Sequence, residues 1–323
     1  MTSVLVGVSG GVDSSIAVHL LKQQGLAVEA IIFKQVNAEN VESDALCCSA
    51  SAIEEARDVC RQLGVVLHIR DLRKTFDEEV IKPTVDSLAV GNTPSPCTTC
   101  NSKVRAPHLD YLRWAIKADF FATGHYFRID HGRVYRGADK KKDQSYMVAL
   151  VAKELFERWL TPLGNMIKPE VRKIADELGL ITAHNPDSQD LCFKHLLPSF
   201  KRDIVFENTI VGQTDGRPTI GQKRGFNGLR VLNVTEKSVV VTNKDVEKAK
   251  GLIEKPNWLI DNIPKEMQIQ LRSHSETING RVRGRELQLE APAVLTPGQV
   301  AAFYDGNQLI GGALISRDQQ EIT

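Results

Sequence analysis

The chain has 323 residues, of which 42% are hydrophobic and 25% are charged. Both fractions are ordinary for a globular protein, and they exclude a disordered, collagen-like or coiled-coil chain. Lys and Arg number 41 against 40 Asp and Glu, so the net charge of +1 gives no overall indication of nucleic-acid binding and leaves local patches as the place for it.

The length predicts two domains, with room for a third, small one. The opening segment lacks the basic start of a signal peptide, and no apolar run approaches the ~18 residues that a membrane helix needs. We therefore expect a cytoplasmic protein with no membrane partner. In that compartment, six cysteines indicate metal binding or catalysis rather than a disulfide framework.

The first half of the chain alternates between strand and helix patterns. The predicted strands are Val4–Val8, Val28–Phe33, Val65–Ile69 and Phe120–Thr123. The predicted helices are Ile16–Gln24, Ser49–Leu63, Asp77–Ala89, Leu109–Ile116 and Lys168–Leu178. This order predicts an α/β fold, a parallel sheet with helices on both faces, which binds ligands beyond the carboxyl ends of its strands.

Beyond about residue 205 the pattern changes to short β-prone runs separated by turns. The runs are Val239–Thr242, Gln268–Leu271, Leu287–Leu289, Val300–Tyr304 and Leu309–Ile315. The predicted turns are Asn279-Gly280, Pro297-Gly298 and Asp305-Gly306. We predict a small C-terminal β-barrel and three domains: 1–200, a small middle domain over 201–257, and 258–323.

A glycine-rich loop, Ser9-Gly10-Gly11-Val12-Asp13-Ser14-Ser15, lies between the first strand and the first helix. Glycines let backbone N–H groups approach a phosphate, and a helix N-terminus favours an anion. The loop lacks the Gly-Lys-Ser/Thr ending of a Walker A motif and is not a GxGxxG fingerprint. The plain alternative is a turn in which Asp13 or Ser14 caps the helix.

The loop resembles the PP-loop of N-type ATP pyrophosphatases, and further motifs narrow the resemblance. They are Ala122–Tyr126, Lys142–Tyr146, Val171–Ala175, Asp187–Phe193, Gly221–Gly225, Thr296–Val300 and Gly311-Gly312. Together they resemble the tRNA-specific 2-thiouridylase (MnmA) family over essentially the whole chain. The resemblance implies a tRNA sulfurtransferase that uses ATP and Mg²⁺: ATP adenylates the 2-carbonyl oxygen of the wobble uridine, and a sulfur nucleophile then displaces AMP.

The resemblance also implies site residues. The residues that would hold ATP are Gly7, Val8, Ser9, Gly10, Gly11, Val12, Asp13, Ser14 and Ser15, with Phe33 and Gly124 lining the nucleotide pocket. Asp13 is also expected to take part in catalysis. The residues that would contact tRNA are Ser95, Pro96, His125, Lys142, Asp143, Gln144, Arg272 and Gln299. Basic clusters in 194–225 and 272–285 support tRNA binding by the middle domain and the barrel.

Three cysteines carry the expected sulfur chemistry. In the family, the position of Cys100 is catalytic and that of Cys192 carries a persulfide. Cys97 departs from the family pattern, because many relatives have Asp there. We favour a 4Fe-4S cluster held by Cys97, Cys100 and Cys192. The alternatives are a persulfide relay with Cys97 as a spectator or resolving thiol, a structural zinc site, and an incidental redox pair.

Several points stay open at this stage. The sulfur donor is either free sulfide or a persulfide from a cysteine desulfurase or relay protein. Cys60 lies on an apolar helix face and is expected in the core, whereas Cys47-Cys48 has no assigned role. Two other functions compete: a PP-loop sulfur-transfer or desulfuration enzyme acting on another substrate, and a non-catalytic nucleotide- or cluster-binding adaptor.

Overall fold

The structure is a computed structural model that describes residues 1–36, 50–187, 191–223, 225 and 227–317. The chain divides into two compact units. The first is built from Met1–Val80, Cys97–Lys194 and Asn307–Leu309. The second takes in Ile81–Pro96, His195–Gly306 and the chain from Ile310 onward.

The helices and strands are as follows. In chain order the helices are α1 (Val12–Gln23), α2 (Ala50–Gln62), α3 (Arg73–Phe76), α4 (Lys82–Ala89), α5 (Pro96–Thr99), α6 (Ala106–Ala115) and α7 (Lys168–Glu177). Segments of π-helix cover Asp77–Ile81 and Cys100–Arg105, and 3-10 turns cover Ser145–Val148, Lys153–Glu157 and Lys194–Leu196. The strands are β1 (Ser3–Val8), β2 (Ala27–Lys34), β3 (Val66–Asp71), β4 (Phe120–Thr123), β5 (Phe127–Asp130), β6 (Arg133–Arg136), β7 (Trp159–Leu160), β8 (Lys201–Phe206), β9 (Thr209–Asp215), β10 (Arg230–Val234), β11 (Ser238–Thr242), β12 (Lys248–Leu252), β13 (Asn257–Trp258), β14 (Met267–Gln270), β15 (Ile278–Arg283), β16 (Glu286–Ala293), β17 (Val300–Asp305) and β18 (Gln308–Leu314).

The first unit contains a five-stranded parallel sheet with the order β3-β2-β1-β4-β7. The chain builds outward from β1 through β2 to β3, then crosses to the other side of β1 with β4. The carboxyl ends of β1 and β4 therefore meet at the point where the strand order reverses, with Gly7 paired to Thr123. Open α/β sheets bind their ligands at this point.

Helices cover both faces of this sheet, as the strand–helix alternation predicts. Val6 of β1 packs against Ala17 and Val18 of α1 in one buried cluster. The next residue, Gly7, faces Leu109 of α6, where an added Cβ would lie 3.1 Å from the leucine side chain. Because successive strand residues point to opposite faces, α1 and α6 lie on opposite sides of the sheet.

The first unit also holds a hairpin, β5 and β6, that the sequence analysis did not predict. Its turn is His131-Gly132, and both residues have positive φ, 47° and 72°. Two central residues with positive φ are typical of the tight type I′ hairpin turn. Gln308 and Leu309, which belong to the same unit, pair with β6.

The second unit contains two sheets. One has the order β10-β11-β8-β9, with β11 parallel to β8 and the other pairs antiparallel. In the other sheet, β12, β16, β15, β14 and β17 pair antiparallel in that order around a core that includes Ile269, Leu287 and Phe303. The predicted change to β structure in the second half is confirmed.

The predicted turn at Asn279-Gly280 is wrong, because both residues lie inside β15. A Cβ on Gly280 would lie 2.4 Å from the backbone oxygen of Gln288 in β16. The glycine is therefore explained by close approach of two strands rather than by a turn. In the described part of the chain, no helix is both long and apolar enough to cross a membrane.

Candidate active site

The glycine-rich loop connects the end of β1 to the start of α1. Gly10 has a φ of +76°, and a Cβ there would lie 2.6 Å from the backbone oxygen of Ala52, so a side chain does not fit. The Ser14 hydroxyl accepts a hydrogen bond from the Ser9 N–H and donates to the Gly11 carbonyl, both at 3.1 Å. Gly11 is the N-cap of α1 and has no side chain to cap the first turn. This geometry suits an anion at the helix N-terminus.

Gly124, which follows β4, lies directly against the beginning of α1. A Cβ on Gly124 would lie 2.7 Å from the Ser14 nitrogen and 2.8 Å from the Asp13 carbonyl carbon. Phe33 is buried near the end of β2, and the Val12 side chain packs into the core beneath α1. The predicted nucleotide-binding residues thus come together at one edge of the sheet, although Val12 can offer a ligand only its backbone.

The Asp13 carboxylate is held by two side chains from elsewhere in the unit. The Tyr126 hydroxyl donates to Asp13 Oδ1 at 2.6 Å, and Lys168 Nζ lies 2.7 Å from both carboxylate oxygens. Burial, followed by the neighbouring Asp13 charge, raises the pKa of Tyr126, so its hydroxyl stays protonated and donates. Asp13 is therefore a fixed carboxylate at the helix start, a group that suits Mg²⁺.

Lys168 extends this network to Asp187. Its ammonium lies 2.8 Å from Asp187 Oδ1, and Lys142 and Arg172 contact the same carboxylate at 2.5 and 2.8 Å. Burial by itself raises the pKa of Asp187, but hydrogen bonds from Lys142 and Lys168 outweigh it and lower the pKa to about 2. Asp187 is thus ionised at neutral pH, and the predicted tRNA contact Lys142 is an ion-pair partner in this network.

His125 is buried, with an exposed fraction of 8%. Its Nδ1 lies 2.8 Å from Thr123 Oγ1, which accepts from Trp159 Nε1, and its Nε2 lies 3.4 Å from Arg105 Nη1. Because a guanidinium can only donate, Nε2 is the acceptor and the ring proton is on Nδ1. Burial, followed by the charge of Arg105, lowers the pKa of His125 to about 3, so the ring is neutral at pH 7.

Asp143 and Gln144 also make internal contacts. Buried Asp143 accepts hydrogen bonds from Arg136 Nη1 and from the backbone N–H of Gly137, both at 2.9 Å. Gln144 Oε1 accepts from the Tyr126 N–H at 2.9 Å, and the Gln144 N–H donates to the Tyr126 carbonyl at 3.0 Å. Gln144 therefore fixes the residue whose hydroxyl holds Asp13. The tRNA contacts expected of His125, Asp143 and Gln144 stay predictions.

Cys100 is a buried thiol at the same edge of the sheet. It begins the π-helical segment Cys100–Arg105, and its exposed fraction is 7%. Gln35, the residue after β2, donates from Nε2 to Cys100 Sγ at 3.5 Å. Since β2 pairs with β1, this contact ties the thiol to the edge where the glycine loop begins. Single π-helical turns occur frequently at functional sites.

The other two sulfur candidates differ in exposure. Cys97 is exposed, three residues before Cys100, and Cys192 is half-buried. Phe193, next to Cys192, packs edge-on against Phe76 with ring centroids 5.6 Å apart. Phe76 belongs to α3, which contacts the segment that begins with Cys100.

The three cysteines expected to hold a cluster do not form a site for a single metal ion in the described part of the chain. Among the described residues, which include Cys97, Cys100 and Cys192, no three His, Cys, Asp or Glu side chains lie close enough together to hold a metal ion. A 4Fe-4S cluster on these three cysteines therefore stays a prediction. Cys60 is buried in α2, as expected, and burial raises its pKa to about 11.

Three further predicted tRNA contacts, Gln299, Ser95 and Pro96, belong to the second unit. Gln299 Nε2 donates to the carbonyls of Thr93 and Pro94, at 2.9 and 3.4 Å. Ser95, half-buried, and Pro96, buried, follow in the same loop. Gln299 thereby anchors the loop that leads into α5.

Arg272 is exposed in the second unit, near the end of β14. Its Nη2 donates to Thr296 Oγ1 at 3.0 Å and to the Ile220 carbonyl at 3.3 Å. Its neighbours in the predicted basic cluster are also engaged: Arg281 donates to Gln288, and Arg285 to the Ile253 carbonyl. The Cys47-Cys48 pair, residues 188–190 of the 187–193 motif and Arg224 lie outside the described residues.

Three contributors to the site had no assigned role in the sequence analysis: Gln35, Tyr126 and Lys168. Tyr126 belongs to the Ala122–Tyr126 motif, and Lys168 is predicted only as the first residue of a helix. Gln35 follows a strand and shows no pattern of its own. Their roles depend on which distant residue they meet, which the spacing of residues along the chain does not reveal.

Comparison with known proteins agrees with the motifs. A family profile described as "tRNA methyl transferase HUP domain" matches residues 2–195, and one described as "Aminomethyltransferase beta-barrel domain" matches residues 249–315. The chain is 37% identical to the tRNA-specific 2-thiouridylase MnmA of Thermotoga maritima. The alignment is 352 positions long and covers 96% of this chain and 98% of that protein. It is 35% identical over 350 residues to the Thermus thermophilus protein of the same name, covering 98% and 95%.

Among solved structures, a 4-thiouridine synthetase bound to RNA and ATP matches with a TM-score of 0.41 and 22% identity, over 59% of this chain and 45% of that one. The sequence relatives match over a much longer stretch, because each alignment covers nearly the full length of this chain and of the relative. The fold, the loop at the strand-order reversal and these relatives agree. The chain belongs to the tRNA-specific 2-thiouridylase (MnmA) family.

Proposed function

We propose that this protein is an ATP-dependent tRNA 2-thiouridylase, which adenylates the 2-carbonyl oxygen of the wobble uridine and replaces it with sulfur. The observation that carries the proposal is a buried thiol beside a PP-loop. The Cys100 thiol accepts a hydrogen bond from Gln35, which follows β2. The glycine-rich loop begins at the end of the neighbouring strand β1. A nucleotide loop activates an oxygen, and a thiol at the same edge can take part in replacing it.

In this proposal the loop and the first turn of α1 hold the phosphates of ATP. Asp13, fixed by Tyr126 and Lys168, offers the carboxylate for Mg²⁺. The loop, the first turn of α1 and Asp13 are already in position to bind phosphate and metal. These groups therefore need to move little when the uridine oxygen attacks the α-phosphate. Pyrophosphate leaves, and the 2-oxygen becomes part of a good leaving group.

The sulfur step uses Cys192 and Cys100. The terminal sulfur of a persulfide on Cys192 attacks C2, AMP leaves with the oxygen, and a C2–S–S–Cys192 linkage remains. The Cys100 thiolate then attacks Cys192 Sγ, which releases 2-thiouridine and leaves a Cys100–Cys192 disulfide. Gln35 supports this role, because its Nε2 donates to Cys100 Sγ at 3.5 Å and holds the sulfur in place. The proposed donor is a persulfide from a desulfurase or relay protein.

We infer that tRNA is held by basic side chains. Arg272 is exposed, and Lys142 is partly exposed beside the loop, so both offer cationic groups to phosphates. Gln299, Ser95 and Pro96 would contact tRNA through the loop that leads to α5. His125 and Asp143, which are buried, and Gln144, which is half-buried, would then act on tRNA by supporting this surface rather than by forming it.

The test is thiolation of unmodified tRNA with ATP and Mg²⁺, with a persulfide donor in air and with free sulfide under anaerobic conditions. We expect tRNA-dependent release of pyrophosphate and AMP, and 2-thiouridine in the nucleoside mass analysis. Cys192→Ser should keep pyrophosphate release and lose thiolation, because adenylation precedes sulfur transfer. Asp13→Asn should lose both.

Cys60→Ala is the matched control, since it removes one cysteine from the core of α2 and should keep full activity. Release of pyrophosphate without tRNA, or a thiolated base other than 2-thiouridine, would indicate a different PP-loop enzyme. No pyrophosphate under any condition would indicate a nucleotide-binding adaptor.

The Cys97-x-x-Cys100 spacing favours a second candidate for the sulfur route, a 4Fe-4S cluster on the three cysteines. It requires all three thiols to bind iron. Anaerobically purified protein would then be brown, with about four iron and four sulfide per chain. Colourless protein that is fully active without iron would exclude this route.

A further inference from the structure

We propose that Cys97 is the resolving thiol of this enzyme: it attacks the disulfide left on Cys100 and returns Cys192 to its thiol form. The proposal rests on the proposed function, because it starts from the disulfide that thiolation leaves behind. It concerns the first cysteine of the Cys97-x-x-Cys100 pair.

The first observation is the difference in exposure between two thiols one helical turn apart. Cys97 is exposed, whereas Cys100 has an exposed fraction of 7%. Both lie in one continuous helical run, from α5 through the π-helical segment into α6. A thiol partner in solution can therefore reach Cys97 but not Cys100.

The second observation is that the spacing suits a disulfide. Residues three apart on a helix have Cβ atoms about 5–6 Å apart. A disulfide needs about 3.5–4.5 Å, so the first turn has to tighten by about 1–2 Å. Cys97 lies in the four-residue helix α5, before the helical run changes to π geometry at Cys100, so only this short turn has to move.

The reaction balances as thiol–disulfide exchange. The Cys97 thiolate attacks Cys100 Sγ, the Cys97–Cys100 bond forms, the Cys100–Cys192 bond breaks, and Cys192 leaves as a thiolate. Cys192 is then ready for the next persulfide. A dithiol reductant from solution supplies two electrons to the exposed Cys97 sulfur and restores both thiols.

This role explains why the exposed sulfur is useful at this position. Without it, a reductant would have to reach Cys100, which is buried, or Cys192, which is half-buried. With it, the disulfide passes to the Cys97–Cys100 pair, where the exposed Cys97 sulfur can be reduced, and Cys192 returns to its thiol form. The contact between Gln35 and Cys100 keeps the buried sulfur of the pair oriented in both exchanges.

The experiment is a disulfide map after a single round of thiolation. Full-length protein with a persulfide on Cys192 is mixed with ATP, Mg²⁺ and unmodified tRNA, without reductant, then quenched with N-ethylmaleimide. Peptide mass mapping without reduction should find Cys97 joined to Cys100 and Cys192 alkylated. Cys97→Ser should form the same single equivalent of 2-thiouridine but hold Cys100 joined to Cys192.

Turnover supplies the second readout. With a small dithiol protein as the only reductant, wild-type protein should continue to cycle, whereas Cys97→Ser should stop near one equivalent of product per chain. Dithiothreitol, which is small enough to reach the inner disulfide, should restore cycling to the variant. Cys60→Ala should match the wild type in both the map and the turnover.

Four outcomes would overturn the proposal. They are a wild-type map with Cys100 still joined to Cys192, a Cys97→Ser variant that cycles like the wild type on the protein reductant, iron bound in a Cys97-dependent way, and no product from wild type. The last outcome overturns the proposed function as well. The first two leave thiolation intact and remove only the role of Cys97.

Discussion

The ammonium group of Lys168 lies between two carboxylates from different parts of the chain. Its side chain is 9% exposed, and it touches Asp13 at the start of α1 and Asp187 near Cys192. Pairing with carboxylates offsets the cost of removing a cation from water. Lys168 therefore links the glycine-rich loop to the segment that leads toward Cys192.

Gly124 offers the sharpest single-residue prediction. In Gly124→Ala the added Cβ would meet the backbone of Asp13 and Ser14 at 2.7–2.9 Å, so the start of α1 has to shift. We expect weaker ATP binding and a loss of about 1–3 kcal/mol in the free energy of unfolding. Titration calorimetry with ATP and urea unfolding measure the two effects.

Gly216→Ala is the matched control, because nothing lies within 4 Å of a Cβ at that glycine. It should bind ATP as the wild type does. Unchanged ATP affinity in Gly124→Ala would contradict this prediction, because it would show that ATP binding does not depend on the position of the start of α1.

At the scale of elements, the sequence predicts the parallel sheet well and the hairpins poorly. Buried parallel strands are near-continuous apolar runs, so β1, β2 and β4 are recognisable from composition, whereas β3 is a mostly exposed strand at the edge of the sheet. The hairpin β5–β6 is short and polar at its turn, and His131-Gly132 is a weaker turn sequence than Asn-Gly. Conversely, Asn279-Gly280 has the strongest turn sequence in the region yet lies inside β15, because glycine also serves close strand contact.

The same contrast holds for the site. The loop, Gly124 and the cysteines are identifiable because their chemistry is local in sequence. The partners Gln35, Tyr126 and Lys168 are not, because each acts through a contact with a residue far along the chain.

Arg202 joins two elements of the second unit. It is 2% exposed, and its guanidinium donates to the carbonyls of Thr235 and Gly216 and to those of Leu88 and Ala89 at the end of α4. Burial lowers its pKa, and the carbonyl oxygens and the negative end of the helix dipole stabilise its charge.

Arg202→Lys should lower the free energy of unfolding by about 2–4 kcal/mol, because one ammonium cannot reach all four carbonyls. Urea unfolding followed by circular dichroism measures the change. Lys201→Ala, at the exposed neighbouring position, should stay within about 0.5 kcal/mol of the wild type. A lysine variant as stable as the wild type would show that water satisfies these carbonyls.

At the scale of the whole molecule, the two units have separate cores and need not unfold together. His125 gives the first unit an acid sensitivity of its own. The unfolded chain binds a proton there below pH 6.5, whereas the folded ring does so only near pH 3. Stability from the neutral ring is therefore complete above pH 6.5 and is lost as the pH falls.

Between pH 6.5 and 5 we expect the first unit to lose about 2 kcal/mol of unfolding free energy. In a Trp258→Phe background, both remaining indoles, Trp114 and Trp159, belong to the first unit, so urea unfolding by fluorescence reports on it alone. His125→Asn should remove most of this pH dependence. A residual slope is expected from His19, whose pKa burial also lowers. An unchanged slope in the variant would assign the acid sensitivity elsewhere.

The ion network around Lys168 does not cancel its own charge. Its five members, Asp13, Asp187, Lys142, Lys168 and Arg172, sum to one positive charge next to the loop. An approaching triphosphate is attracted by that excess over a range set by the Debye length, about 8 Å at 0.15 M salt. Nucleotide capture by this protein is therefore tied to ionic strength, and salt should slow the encounter with ATP before it weakens the contacts of the bound state.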